Sequence, residues 1–235
     1  MTQPTQLRLV VIEHETDAGL GRMAPHLVGH RVTTVRPTTG EDMPSLRGID
    51  GVIILGGSMG AYEERAHPWM SDEKAWAAAA VGADVPVLGI CLGSQLLADA
   101  LGGRAYRSER TLEAGVLPLH LTEAGAADPV LSQAGDRVFA MHGDTFDLPP
   151  GATLLAHTDD YLASFRVGSA LAVQFHPETP ADGAIGWATG GEQHLLEGAR
   201  VDQAQFARQL RAEDSYLAER ADALFAAWLD GLASG

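Results

Sequence analysis

Short β-branched runs alternate with longer stretches of helical period through the first hundred residues of this chain. Leu7 to Ile12 (LRLVVI), Val32 to Val35 and Gly51 to Leu55 (GVIIL) each have Gly, Pro or Asp within a few residues, as strands covered on both faces do. Between them lie stretches such as Gly21 to Gly29. The Ala-rich Trp69 to Val81 follows, with Asp72 and Glu73 near its start, which predicts a helix with acid at the positive end of its dipole. Strand and helix in this order imply an α/β fold, a mostly parallel sheet with helices on both faces.

Val87 to Ile90, after Pro86, is the next predicted strand. Leu92 to Leu101 places Leu92, Leu96, Leu97, Ala100 and Leu101 at helical spacing. Beyond Gly102 and Gly103 the runs shorten. Gly115 to Leu121, Arg137 to Met141, Thr153 to Ala156, Leu162 to Arg166 and Leu171 to Phe175 are expected strands, some of them antiparallel additions. Residues 178–193 (ETPADGAIGWATGGEQ) are Gly-rich and expected as a mobile loop. Val201 to Leu232 returns to a helical period, with a break expected near Glu213. A length of 235 residues fits one core with additions. The expected organisation is a domain over 1–200 and a C-terminal helical extension over 201–235 packed on it.

Composition narrows the partners. A formal net charge of −15, from 16 basic and 31 acidic residues, argues against nucleic acid as a ligand. No apolar run is long enough to span a bilayer, so no membrane partner is expected. The opening MTQPTQLRLVVIE lacks the basic start, apolar stretch and cleavage site of a secretory signal, and a single cysteine forms no intrachain disulfide. A cytoplasmic location is the resulting expectation.

That one cysteine, Cys91, falls at the predicted strand-to-helix turn, in GICLG. Gly89 and Gly93 flank it at the spacing of the nucleophile elbow of serine hydrolases. Glycines there relieve crowding and leave the side chain above the sheet. The helix N-terminus behind it supplies donors that stabilise a thiolate and an oxyanion. A structural cysteine in a Gly-containing turn has the same local spacing, so a base on another strand end is the deciding requirement. His176 meets it: it follows the apolar LAVQF and precedes Pro177 and Glu178, at the carboxyl edge where sites of open α/β sheets lie. Glu178, two residues on, can face the same side and orient the imidazole. The histidines show no metal-ligand spacing and no thiolate cluster exists, so no metal and no cofactor is expected.

At this point the segments PVLGICLGSQLLADALGG, LGGSMGAYEE, VQFHPE and MHGDTFDLPPGA resemble those of class I (triad) glutamine amidotransferases. Within that family they resemble the stand-alone branch similar to the amidotransferase domain of GMP synthase. The resemblance implies a flavodoxin-like sheet and a Cys-His-Glu triad on Cys91, His176 and Glu178. It implies an oxyanion hole from the backbone N–H groups of Gly57 and Leu92, and contacts to the glutamyl part of the substrate from Gln95, His142, Gly143 and Asp144. Ser94 stands where the branch commonly has His, and Ser58 where Pro often follows the Gly pair; both bear on pocket shape beside the nucleophile.

The implied reaction is hydrolysis of the γ-carboxamide of glutamine through a cysteine thioester, releasing ammonia, with a synthetase subunit as a possible acceptor. A stand-alone γ-glutamyl amide or peptide hydrolase would use the same triad on a larger leaving amine. A non-catalytic regulatory subunit is the remaining alternative.

Overall fold

A computed structural model describes residues 6–110 and 112–233; residues 1–5 of the opening segment and the last two of the expected extension lie outside the described residues. Twelve strands are described: β1 (Arg8–Ile12), β2 (Arg31–Val35), β3 (Gly51–Ile54), β4 (Val87–Ile90), β5 (Arg104–Arg107), β6 (Glu113–Pro118), β7 (His120–Leu121), β8 (Arg137–His142), β9 (Asp144–Asp147), β10 (Thr153–His157), β11 (Leu162–Val167) and β12 (Ala170–Val173). The helices are α1 (Trp69–Gly82), α2 (Leu92–Ala100), α3 (Glu123–Ala127), α4 (Ala181–Gly190), α5 (Gln193–Ala199) and α6 (Gln203–Ala233).

Eight strands form one sheet in the order β2-β1-β3-β4-β12-β11-β10-β7. The first five pair in parallel and the last three antiparallel. Alternation inside each parallel strand feeds two cores. Leu9, Val11, Ile53, Leu88 and Ile90 point to one face, under the C-terminal half of α6. Val10, Ile12, Val52, Ile54 and Val87 point to the other, against α1 and α2. The chain leaves β1 toward β2 on one side and returns to β3 on the other, so the carboxyl ends of β1 and β3 open a crevice.

Several expectations need correction. The predicted strand over 115–121 divides at Leu119: β6 pairs with β8 in a two-stranded ribbon, while β7 joins the main sheet on β10. Leu119 N instead donates to the Asp136 carbonyl at 2.9 Å. β5 and β9 form a further ribbon that the polar sequences RAYR and DTFD did not reveal. The last strand stops at Val173: Gln174 N still bonds in register to the Ala163 carbonyl (2.8 Å), but His176 N turns away from β11 to the Phe139 carbonyl (2.8 Å).

Residues 181–190 and 193–199 are helical rather than a loop. Ala181, Ala184 and Ala188 form a narrow apolar face that packs with Phe139 and Phe206 in a third core. The C-terminal segment is one unbroken helix of 31 residues. No Pro or Gly lies near Glu213, and that residue instead accepts from Arg137 Nε at 2.8 Å. Asp72 is exposed at the start of α1 as expected, but Glu73 is fully buried on its inner face with Met70 and Ala77.

Candidate active site

The turn between β4 and α2 holds Cys91 at φ 50°, ψ −106°, a backbone conformation that costs a non-glycine residue energy and persists only where its surroundings enforce it. The flanking glycines are part of that enforcement. A Cβ on Gly89 would lie 2.6 Å from the Gly93 carbonyl oxygen, and one on Gly93 would overlap the Ile54 carbonyl. Cys91 N donates to the Val173 carbonyl at 2.9 Å, tying the elbow to β12. Ser94, fully buried, donates its hydroxyl to the Cys91 carbonyl at 2.6 Å and braces the turn from behind.

His176 and Glu178 stand beyond the end of β12. The imidazole Nδ1 lies 2.7 Å from Glu178 Oε1, which also accepts from Thr179 Oγ1 at 2.9 Å. Both side chains are buried. Phe139 and Trp187 flank the ring, with centroids at 5.7 and 5.1 Å. Burial opposes protonation of this ring, but the negative charge on Cys91, that on Glu178 and hydrogen bonds to both outweigh it and push His176 up to about 10. An imidazole held between sulfur and carboxylate in this way is able to carry a proton.

A third segment, the loop after β3, brings Gly57 to the cavity. Gly56 backs onto Cys91 and His176: a Cβ there would sit 3.3 Å from His176 Cε1 and 3.7 Å from Cys91 Cβ. Ser58 N and Oγ both donate to the Glu15 carboxylate, at 3.1 and 2.5 Å. The serine at that position thus fastens the loop to the segment after β1.

The opposite side comes from the junction of β8 and β9. His142 has both ring nitrogens engaged, Nδ1 at 2.9 Å from the Asp144 carbonyl and Nε2 at 3.0 Å from Glu113 Oε2. It sits under the Gly143–Asp144 backbone. Gln95 Nε2 donates to the Asp144 carbonyl (3.3 Å) and to Gln174 Oε1 (3.2 Å), and Gln174 Nε2 in turn approaches Cys91 Sγ at 3.5 Å. The Asp144 carboxylate is hydrogen-bonded by Tyr62, whose phenol is pushed up to about 12 by burial and by the charge of Asp144.

These elements enclose a cavity of about 370 Å³ lined by Cys91, Gly57, Gln95, His142, Gly143, Asp144 and His176. Leu92, whose N–H begins α2, is next to Cys91 and buried. The sequence reading missed Tyr62, Arg107, Trp187 and Glu192, which also line the cavity, and His14, Glu73 and Gln174 behind it. For His14 a signal existed, since it lies two residues past an apolar strand, at the carboxyl edge. Trp187 carried none, being inside a Gly-rich stretch.

Comparisons with known proteins identify the family. The family model of Glutamine amidotransferase class-I matches residues 24–182, and the chain belongs to that family. A GMP synthase [glutamine-hydrolyzing] from Prochlorococcus marinus (strain MIT 9303) is 35% identical over 133 residues, 54% of this chain. The match covers 24% of that protein, so the chain spans about a quarter of the length of its curated relatives. A glutamine amidotransferase structure from Thermotoga maritima superposes with a TM-score of 0.85 at 29% identity, over 98% of this chain and 100% of that one. One from Methylobacillus flagellatus gives 0.83 at 26% identity, over 97% and 96%. The flavodoxin-like fold and the family that the sequence motifs implied both stand.

Proposed function

We propose that this chain is a glutaminase of the amidotransferase type, hydrolysing the γ-carboxamide of glutamine and releasing ammonia. The observation that carries the reading is Cys91 held at positive φ at the head of α2, beside a buried imidazole that is hydrogen-bonded to Glu178. In the first step the Cys91 thiolate attacks the amide carbon. The Gly57 and Leu92 N–H groups hold the resulting oxyanion. His176 gives its proton to the amide nitrogen, the C–N bond breaks and ammonia leaves. His176 then takes a proton from water, whose oxygen attacks the thioester. Glutamate departs and the sulfur is restored. Glu178 keeps the imidazole in the required orientation throughout. Gln95, Gly143 and Asp144 bind the glutamyl part, and His142, with both nitrogens engaged, supports that backbone from beneath.

Relatives named GMP synthase motivate a synthetase subunit as the ammonia acceptor. A second reading is favoured by the wall that Trp187, Glu192 and His194 add to the cavity: a γ-glutamyl amide or peptide hydrolase, whose larger leaving amine would lie along that wall.

Ammonia release from glutamine and amine release from a panel of γ-glutamyl amides, by wild type and Cys91→Ala, separate the readings. Preference for glutamine supports the glutaminase, and preference for a substituted amide supports the hydrolase. Cys91→Ala is expected to lose at least about 10³-fold in kcat on whichever substrate is used. Unchanged activity in that variant would remove the nucleophile assignment.

A further inference from the structure

The loop that carries Gly57 is held by a pair of buried charged groups that the reaction steps above do not use. His14, two residues after β1, is 4% exposed and Glu73, on the inner face of α1, is 0% exposed. His14 Nε2 lies 3.1 Å from both Glu73 carboxylate oxygens, and Nδ1 lies 3.1 Å from the Gly56 carbonyl oxygen. The ring stacks on Trp69 with centroids 5.4 Å apart and planes at 27°, which fixes its rotation. The next residue, Glu15, grips Ser58 through both its N–H and its hydroxyl. Consecutive residues therefore hold the two ends of the Gly56-Gly57-Ser58 turn.

A trans peptide is planar, so its carbonyl and its N–H point in opposite directions within one rigid unit. The carbonyl of Gly56 and the N–H of Gly57 belong to the same peptide. Two glycines in a row would otherwise let this unit rotate easily. We propose that His14 and Glu73 are positioning residues for the oxyanion hole: by fastening the Gly56 carbonyl, they aim the Gly57 N–H at the oxygen of the tetrahedral intermediate. This rests on the glutaminase reading and on Gly57 as an oxyanion donor.

The charged groups facing His14 are Glu73 from α1 and Glu15 from its own segment. Burial disfavours the imidazolium, yet the charge of Glu73, its hydrogen bond, the Gly56 carbonyl and the charge of Glu15 together raise the His14 pKa. With a proton on each nitrogen, the ring donates to the carbonyl on one side and to the carboxylate on the other. A charge-assisted bond to the carbonyl also polarises the peptide toward a stronger N–H donor.

The test separates transition-state alignment from simple stability. In the double variant His14→Phe/Glu73→Leu, an aromatic ring stays against Trp69 and no carboxylate is left buried alone. Loss of one oxyanion donor costs about 10²–10³ in kcat, so loosening its peptide is expected to lower kcat by about tenfold to a hundredfold, with KM within about twofold. Alkylation of Cys91 by iodoacetamide forms no oxyanion and is expected to stay within about twofold of wild type. Glu73→Gln, in which a neutral imidazole tautomer can still donate to Gly56, is expected to recover most of the loss. The amide resonance of Gly57 in a ¹H–¹⁵N spectrum is expected to shift in the double variant and to lie near its wild-type position in Glu73→Gln. The proposal falls if the double variant keeps kcat within twofold, if alkylation declines in parallel with kcat, or if the Gly57 resonance does not move. Should wild type hydrolyse neither glutamine nor a γ-glutamyl amide, the glutaminase reading fails, while the Gly57 resonance still decides whether this pair holds that peptide.

Discussion

Two walls of the cavity are built in opposite ways. One is made of strand ends: the loop after β3 that carries Gly57, and Cys91 after β4, with His14 behind them holding the Gly56 carbonyl. Backbone there approaches backbone so closely that a Cβ on Gly93 would overlap the Ile54 carbonyl. The other wall is α4 and α5, where Trp187 is half-buried and a Cβ on Gly186, Gly190 or Gly191 would meet nothing within 4 Å. Bond-making groups need positions fixed to a fraction of an ångström, and a crowded sheet edge supplies that. A wall that only meets the remainder of the substrate needs shape alone. The difference implies that substitutions on the strand-end wall act on kcat and stability, and those on the helical wall on substrate preference.

The largest expected effect on this contrast, short of losing the nucleophile, is at Glu178. Glu178→Gln removes a charge that holds the His176 proton, and kcat is expected to fall by about 10²-fold, with steady-state kinetics as the measurement. The pH dependence of stability should change with it. The folded-state pKa of His176, raised to about 10, lies above the ordinary 6.5. Its contribution to stability is therefore complete below pH 6.5 and is lost as pH rises toward 10. Urea melts across that window are expected to show a shallower decline in Glu178→Gln than in wild type.

Gly93→Ala comes next, an overpacking of the elbow expected to cost about 2–3 kcal/mol in urea unfolding together with most of the activity. A neutral result would show that the elbow has slack. Trp187→Ala sharpens the contrast from the other side. The indole donates to the Asp17 carbonyl at 3.0 Å and flanks His176. Its loss is expected to raise KM by about tenfold or less, with unequal effects across γ-glutamyl amides and little change in kcat. The smallest effect is expected at Gly186→Ala, within α4 and open to solvent, which should stabilise by about 0.5–1 kcal/mol in thermal or urea melts. Destabilisation there would mean that the helical wall is as tightly constrained as the strand ends.

Much of the parallel half was legible because its information is local. GICLG carries strand end, turn and helix start within a few residues, and the FHPE segment places the hydrogen-bonded His176 and Glu178 two apart. The antiparallel additions were harder. β5 and β9 have too few apolar residues for a period to show, and the strand over 115–121 divides only because its halves find partners in different sheets. Gly and Pro in residues 178–193 signal a loop, yet Ala181, Ala184 and Ala188 make a helix once Phe139 and Phe206 stand opposite. Glu73 reads as an acid stabilising a helix dipole. Its partner is His14, 59 residues earlier in the chain.

The sequence by itself determined the alternating architecture, the strained cysteine turn and the pairing of His176 with Glu178. Each of these depends on backbone sterics and periodicity among neighbours. Tertiary structure alone decided which side chains close the cavity and which hold its backbone: Trp187 from α4, Gln174 behind the sulfur, and the His14–Glu73 pair behind Gly56. Those contacts join segments far apart in the chain. Their energies arise from burial and from charges facing each other across packed elements, and a linear pattern of residues carries no record of either until the chain has folded.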